Sequence, residues 1–199
     1  MANKNYLQLQ NQILSNLKGA CTLLLHSCCA PCSSSCLEKV TKHFKTDIFY
    51  YNPNITDKSE YDKRLLEQIE FCKKVYLDKV GVISGNYNKE EFLKAIKGYE
   101  SDKEGGNRCK ICYLLRLEET AKMAKQKGYD YFTTTLSVSP YKNANWLNEI
   151  GESLAEKYGV GYLYADFKKE NGYLRSIELS KEYNLYRQNF CGCEFSKNN

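Results

Sequence analysis

The sequence is poor in the features that divide or export a chain. Three prolines in 199 residues, with no Pro- or Ser-rich tract, repeat or low-complexity run, leave no linker at which to cut it. One domain is therefore expected over residues 1–199, with residues 1–19 a helical appendage and residues 188–199 a cysteine-containing tail. The longest aliphatic run is Leu23-Leu24-Leu25, far too short to cross a membrane, so no membrane partner is expected. The opening Met-Ala-Asn-Lys-Asn-Tyr has no basic n-region and no small-residue cleavage site after an apolar stretch. A cytoplasmic, reducing home follows as the expectation. There, dense cysteines point to metal or redox chemistry rather than a disulfide scaffold.

Cysteine is what the chain has in excess, ten in all, mostly in three tight clusters. Hydrophobic content of 42% suffices for a core without staples. The net charge of +5 is weak evidence for a polyanionic partner. The 17 tyrosines add to it, since tyrosine stacks on unpaired bases, although many read equally well as strand and core residues.

Periodicity predicts alternating strands and helices. Leu9, Ile13 and Leu17 share one helical face over residues 5–18. Strands are expected at Cys21–His26, Ile48–Tyr51, Val80–Ile83, Tyr131–Thr135 and Tyr162–Tyr164. Helices are expected from Pro31 to about Phe44, over residues 58–77, around Lys89–Lys97, for about twenty residues from Cys109, over Trp146–Lys157 and over Leu174–Tyr186. This pattern implies an α/β fold, a mostly parallel sheet with helices on both faces. Such sheets bind ligands beyond the carboxyl ends of their strands. Two marked loops fall there, Ser27–Cys32 and Leu136–Pro140.

The thiol clusters suit particular chemistries. Cys28 and Cys29 precede a helix whose partial positive N-terminus favours thiolate, which suits a metal–thiolate centre or a nucleophilic cysteine. Cys29-Ala30-Pro31-Cys32 also has the form of a redox dithiol. Cys109-Lys110-Ile111-Cys112 opens another helix. Its two thiolates are too few for a tetrahedral zinc or a four-iron cluster, and Cys28 with Cys29 would complete the set. Adjacent cysteines reach one small ion awkwardly, whereas a four-iron cluster offers several corners, so ligand geometry favours iron–sulfur over zinc. Cys191-Gly192-Cys193 could form only a small strained ring, the mark of a redox pair, unless one of the two serves as a further ligand. Cys32 is a candidate for a second metal, Cys36 reads as packing, and Cys21 and Cys72 read as core. His26 ends the first strand facing the thiols and is a candidate proton donor, with a purely structural role as the alternative. His43 reads as surface, and nothing selects among the acids Asp57, Asp62 and Asp166.

Five runs in order resemble one family: Leu24-Leu25-His26-Ser27-Cys28-Cys29-Ala30-Pro31-Cys32-Ser33, Tyr51-Asn52-Pro53-Asn54-Ile55, Arg108-Cys109-Lys110-Ile111-Cys112-Tyr113, Thr133-Thr134-Thr135-Leu136-Ser137-Val138-Ser139-Pro140 and Phe190-Cys191-Gly192-Cys193. Together they resemble the QueH family of epoxyqueuosine reductases over about residues 20–195. The resemblance implies a HUP-like (Rossmann-like) fold. It implies a tRNA substrate carrying epoxyqueuosine at the wobble position, whose epoxide is reduced to the cyclopentene of queuosine, with electrons from an unidentified donor. It also implies a [4Fe-4S] cluster on Cys28, Cys29, Cys109 and Cys112 and a redox-active Cys191–Cys193 disulfide. An additional mononuclear iron is reported in the family, and Cys32 stands where some members carry an aspartate. The thiol run replaces the phosphate-binding glycines of a PP-loop, so ATP use is not expected. For tRNA, Tyr51, Tyr113, Tyr141 and Trp146 are candidate stacking groups, and Arg108, Lys110 and Lys142 candidate phosphate contacts. The rival readings are a zinc-stabilised RNA-binding module without catalysis and a PP-loop-type tRNA sulfurtransferase.

Overall fold

The structure, a computed structural model, describes residues 4–196. Its centre is a five-stranded, all-parallel sheet: β1 (Cys21–His26), β2 (Phe44–Tyr50), β3 (Val82–Ser84), β4 (Tyr131–Thr134) and β5 (Gly161–Tyr162), in the order β3-β2-β1-β4-β5. This is the doubly wound order, so the predicted α/β class is observed. Register is set by β1, with Cys21 opposite Phe44 and Leu23 opposite Tyr131.

Alternation along β1 divides the core in two. Leu23 and Leu25 pack with Ile48 and Tyr50 beneath α2 (Ala30–Val40) and α3 (Lys58–Tyr76), and α7 (Gly172–Glu182) packs on α2. Leu24 faces the other way, with Phe49 and Phe132, against α5 (Asn107–Lys127) and α6 (Ala144–Tyr158). All three leucines are fully buried, each contributing about 1.5–3 kcal/mol. A strand buried on both faces reads as a continuous apolar run, which is why Leu23-Leu24-Leu25 marked it. The short α4 (Lys89–Ala95) lies over the start of α5. The N-terminal helix α1 (Tyr6–Asn16) packs by Tyr6, stacked 6.0 Å from Tyr164.

Several boundaries differ from the sequence expectation. The helix expected to reach Phe44 ends at Val40, because Phe44 already begins β2 with its ring in the core. β2 alternates buried Phe44 and Thr46 with exposed Lys45, a half-strand that a search for continuous apolar residues passes over. α6 begins two residues early, where the Asn143 side chain accepts from the Trp146 N–H at 3.1 Å. α7 ends at Glu182 and the chain turns through a left-handed Asn184. The polar loop after β4 is a 3-10 turn, Thr135–Val138, capped by Thr134.

Candidate functional site

The connections from β1 and β4 leave the sheet on opposite sides, and the crevice between them opens at their carboxyl ends. A cavity of about 560 Å³ fills it. Its walls come from the thiol loop (Cys28, Cys32), the turn after β4 (Leu136, Val138), the start of α7 (Tyr173, Ser176) and the tail (Gln188, Phe190, Cys191).

A buried polar frame holds the thiol loop. Gln68 on α3 accepts at Oε1 from Ser27 Oγ (2.8 Å) and Ser33 Oγ (3.0 Å), while Asn52 Nδ2 donates to the Ser27 carbonyl (2.9 Å). Held so, Cys28 Sγ lies 3.7 Å from Cys29 Sγ, and the ligand atoms of Cys28, Cys29 and Cys32 all lie within 4.8 Å of one another. These three could hold a metal ion. Hydrogen bonds from Cys29 and Cys32 hold the Cys28 thiol well below its ordinary value, and the same sharing pushes Cys29 up to about 12 and Cys32 up as well. Gln188 Nε2 approaches Cys29 Sγ at 3.0 Å from the tail.

Cys109 and Cys112, on the first turn and a half of α5, lie across the crevice. They line a second cavity of about 20 Å³ together with Cys191 and Cys193. Cys191, Arg116, Lys142 and Glu104 border both cavities, so the two thiol groups face a common junction. Arg116 stands there enclosed, 4% exposed, and among the described residues its acceptors are the Cys112 carbonyl (3.4 Å) and Asn52 Oδ1 (3.5 Å). Among the described residues no carboxylate pairs with it. A buried guanidinium without an anion is costly, and a thiolate-ligated metal centre is the kind of anion that offsets the cost. The donor set and this cation therefore fit a metal–thiolate centre.

The tail is docked rather than free. Arg64 Nη1 donates to the Cys191 carbonyl (3.3 Å), Asn54 Nδ2 to the same oxygen (3.4 Å) and the Thr56 N–H to the Gly192 carbonyl (3.2 Å). Gly192 needs its φ of +98°, and a Cβ there would lie 2.7 Å from Ile55 Cγ1. Cys191 and Cys193 are both thiols. Cys193 and the Lys142 charge hold Cys191 well below its ordinary value, while Cys193 is raised.

Other expected residues fall elsewhere. His26 is fully buried, its Nδ1 at 2.9 Å from Thr134 Oγ1 and its Nε2 at 3.1 Å from the Tyr51 carbonyl, and it borders neither cavity. Burial and the Arg116 charge lower it to about 3, so it is neutral and structural at physiological pH. Asp57 caps α3, accepting from the Ser59 N–H at 2.9 Å. Asp62 pairs with Lys58, and Asp166 pairs with Lys168. Three candidate tRNA contacts are interior and need correction. Tyr51 is 4% exposed and donates to Glu91 at 2.6 Å, Tyr113 is 1% exposed, and Arg108 is spent on the Glu100 carbonyl at 2.6 Å. Their aromatic or long apolar bodies are worth more in the core than on the surface. Tyr141 is 76% exposed at the rim, Lys110 is exposed with its Nζ 5.4 Å from the Trp146 ring centre, and Lys142 turns inward. Sequence reasoning passed over Arg116, Gln68, Gln188 and Glu104. Arg116 alone carried a signal, standing one helical turn after Cys112 on the same face.

Fold and site define a doubly wound α/β protein whose ligand crevice is lined by a metal-capable thiol centre and a second, tail-borne thiol pair. The model of the family "Epoxyqueuosine reductase QueH" matches residues 23–199. Proteins named epoxyqueuosine reductase QueH are similar along most of the chain. That of Staphylococcus epidermidis is 44% identical over 87% of this chain and 75% of its own, and that of Thermotoga maritima is 40% identical over 88% and 90%. That of Streptococcus pyogenes is 38% identical over 88% and 70%. The chain belongs to the QueH family of epoxyqueuosine reductases, which are oxidoreductases of queuosine biosynthesis. No helix among the described residues is long and apolar enough to cross a membrane.

Proposed function

We propose that this chain reduces epoxyqueuosine in tRNA to queuosine in the cytoplasm, using a [4Fe-4S] centre held by Cys28, Cys29, Cys109 and Cys112, with Cys191 and Cys193 as a redox-active pair. The observation that supports the reading is that the two cavities lined by the two thiol groups meet at one junction, bordered by Cys191 and the anion-seeking Arg116. Cys32, within the same sulfur triad, is the ligand for an additional mononuclear iron.

The reaction breaks two C–O bonds, forms a C=C bond and releases water, consuming two electrons and two protons. When bound, an iron–sulfur centre supplies electrons one at a time. Oxidation of the Cys191/Cys193 dithiol to a disulfide releases two electrons and two protons, matching the demand, and an external donor then restores the thiols. The cavity of about 560 Å³ is of a size for one extruded nucleoside, so the wobble base enters it out of its stack. Tyr141 at the rim meets a neighbouring base, and Lys110 with Trp146 lies beside the backbone path.

Anaerobic purification tests this directly. A brown protein with roughly four irons and four sulfides, converting the epoxide in tRNA under a chemical reductant, is the expected result. Colourless protein with stoichiometric zinc and no turnover would replace it with a zinc-stabilised RNA-binding module.

A further inference from the structure

Removing an epoxide oxygen as water requires a proton at that oxygen when the first C–O bond breaks, because the alkoxide otherwise left is a very poor leaving group for the second. His26 cannot supply it, being buried with both ring nitrogens engaged outside the cavity. The arginines on the wall do not give up protons. Tyr141 is three-quarters exposed at the rim, and its proton has no protected path inward. Lys142 differs from all of these. Its side chain is only 10% exposed, its Nζ pairs with Glu104 at 2.8 Å, and it borders both the large cavity and the small thiol-lined one. Its backbone N–H donates to the Ser139 carbonyl at 3.2 Å, which fixes the loop just ahead of the Asn143 cap of α6. The groups facing it are Glu104 before α5, Tyr113, Cys112 and Arg116 on α5, and Cys191 on the tail; burial is outweighed by Cys191, Tyr113 and Glu104, which raise its pKa, so it keeps its proton until an alkoxide more basic than the lysine forms beside it.

We infer that Lys142 is the general acid that protonates the departing epoxide oxygen, with Glu104 positioning its ammonium. The inference rests on the reductase reading above. In the step, the Lys142 N–H proton passes to the oxygen as the first C–O bond breaks. The two electrons come from the Cys191/Cys193 dithiol, which becomes a disulfide. Of the two thiol protons released, one restores the Lys142 ammonium and the other completes the water as the second C–O bond breaks. The sum is epoxide plus dithiol giving alkene, water and disulfide. The lysine first read as a phosphate contact is thereby assigned to the chemistry.

Lys142→Ala and Lys142→Arg are compared with the wild-type holoenzyme on tRNA bearing epoxyqueuosine, under dithionite, in single turnover. Both should lose about 10²–10⁴-fold in rate, since arginine keeps the charge but holds its protons. Iron content and the affinity of metal-free protein for the tRNA should be unchanged. Added ethylammonium should restore a measurable part of the Lys142→Ala rate and none of the Lys142→Arg rate. A Lys142→Arg enzyme at wild-type rate would show that charge alone suffices and overturn the inference while leaving the reductase reading intact. So would a loss of tRNA affinity as large as the loss of rate. A wild-type holoprotein that leaves the epoxide untouched would sink the reductase reading and this inference with it.

Discussion

Gln68→Met should destabilise the apoprotein by about 2–3 kcal/mol, and the cost can be assembled bond by bond. Gln68 is fully buried, accepts from Ser27 and Ser33, and donates to Cys72 Sγ at 3.3 Å. Methionine keeps the volume and the apolar stem but removes all three interactions. Neither hydroxyl is orphaned, because Ser27 Oγ also reaches the Cys29 carbonyl (3.2 Å) and Ser33 Oγ the Ala30 carbonyl (3.1 Å). Each hydroxyl therefore loses a bond worth about 1 kcal/mol rather than the full penalty of a stranded donor, and the thiol bond adds less. For a domain of this size, about 2–4 °C per kcal/mol converts the sum to a fall in Tm of roughly 4–12 °C. Thermal unfolding of the reduced, metal-free protein measures it. A double-mutant cycle with Ser27→Ala should give a coupling of at least ~0.5 kcal/mol. A fall in Tm below ~2 °C, or additivity in the cycle, would mean that the thiol loop is held by its own backbone and not by α3. The same variant should also retain less iron on anaerobic purification, since the loop that presents three sulfurs is loosened.

Three further outcomes are expected. His26 takes a proton near 6.5 when unfolded but only near 3 when folded, so its contribution to stability is lost as pH falls below about 6.5, by about 2 kcal/mol at pH 5. Urea midpoints at pH 7 and 5 should therefore diverge more in the wild type than in His26→Gln, and equal pH dependence would refute the buried, neutral state. Gly151→Ala would place a Cβ 2.2 Å from the Tyr162 ring, so α6 must shift off the sheet, and urea denaturation should show a loss of about 1–3 kcal/mol. Cys191→Ser should abolish turnover while keeping the visible absorbance; loss of absorbance as well would make Cys191 a metal ligand instead of half of a redox pair.

Much of the fold was legible because its signals are local. Leu23-Leu24-Leu25 marks a strand buried on both faces, and Pro31 sets the first turn of α2. Leu65, Ile69, Cys72 and Tyr76 fall at helical spacing along α3. β2 was underread because its amino-terminal half is amphipathic, and its pairing with β1 is what holds Phe44 in a strand. The thiol clusters stood out as spacing alone. Their grouping did not. Sequence joined Cys28 and Cys29 to Cys109 and Cys112, whereas the fold places Cys32 within the first triad and sets Cys109 and Cys112 beside the tail pair, across a junction occupied by Arg116. The tyrosines and basic residues near the motifs were least legible. Composition cannot tell a stacking surface from a core ring, and Tyr51 and Tyr113 proved to be core.

By itself, then, the sequence determined the alternation of strands and helices, the identity of the thiol-bearing segments and the family. Each of these is written in contiguous residues or fixed spacings. Only the tertiary structure decided which thiols face one another, that both ring nitrogens of His26 are engaged, that a guanidinium is buried beside the thiols with no carboxylate partner among the described residues, and that Lys142 borders the crevice with Glu104. Those depend on segments about 40 to 160 residues apart being brought within a few ångströms by the β1–β4 crossing and the docked tail. Burial, which turns a surface lysine or arginine into a chemically directed group, exists only once those segments have met.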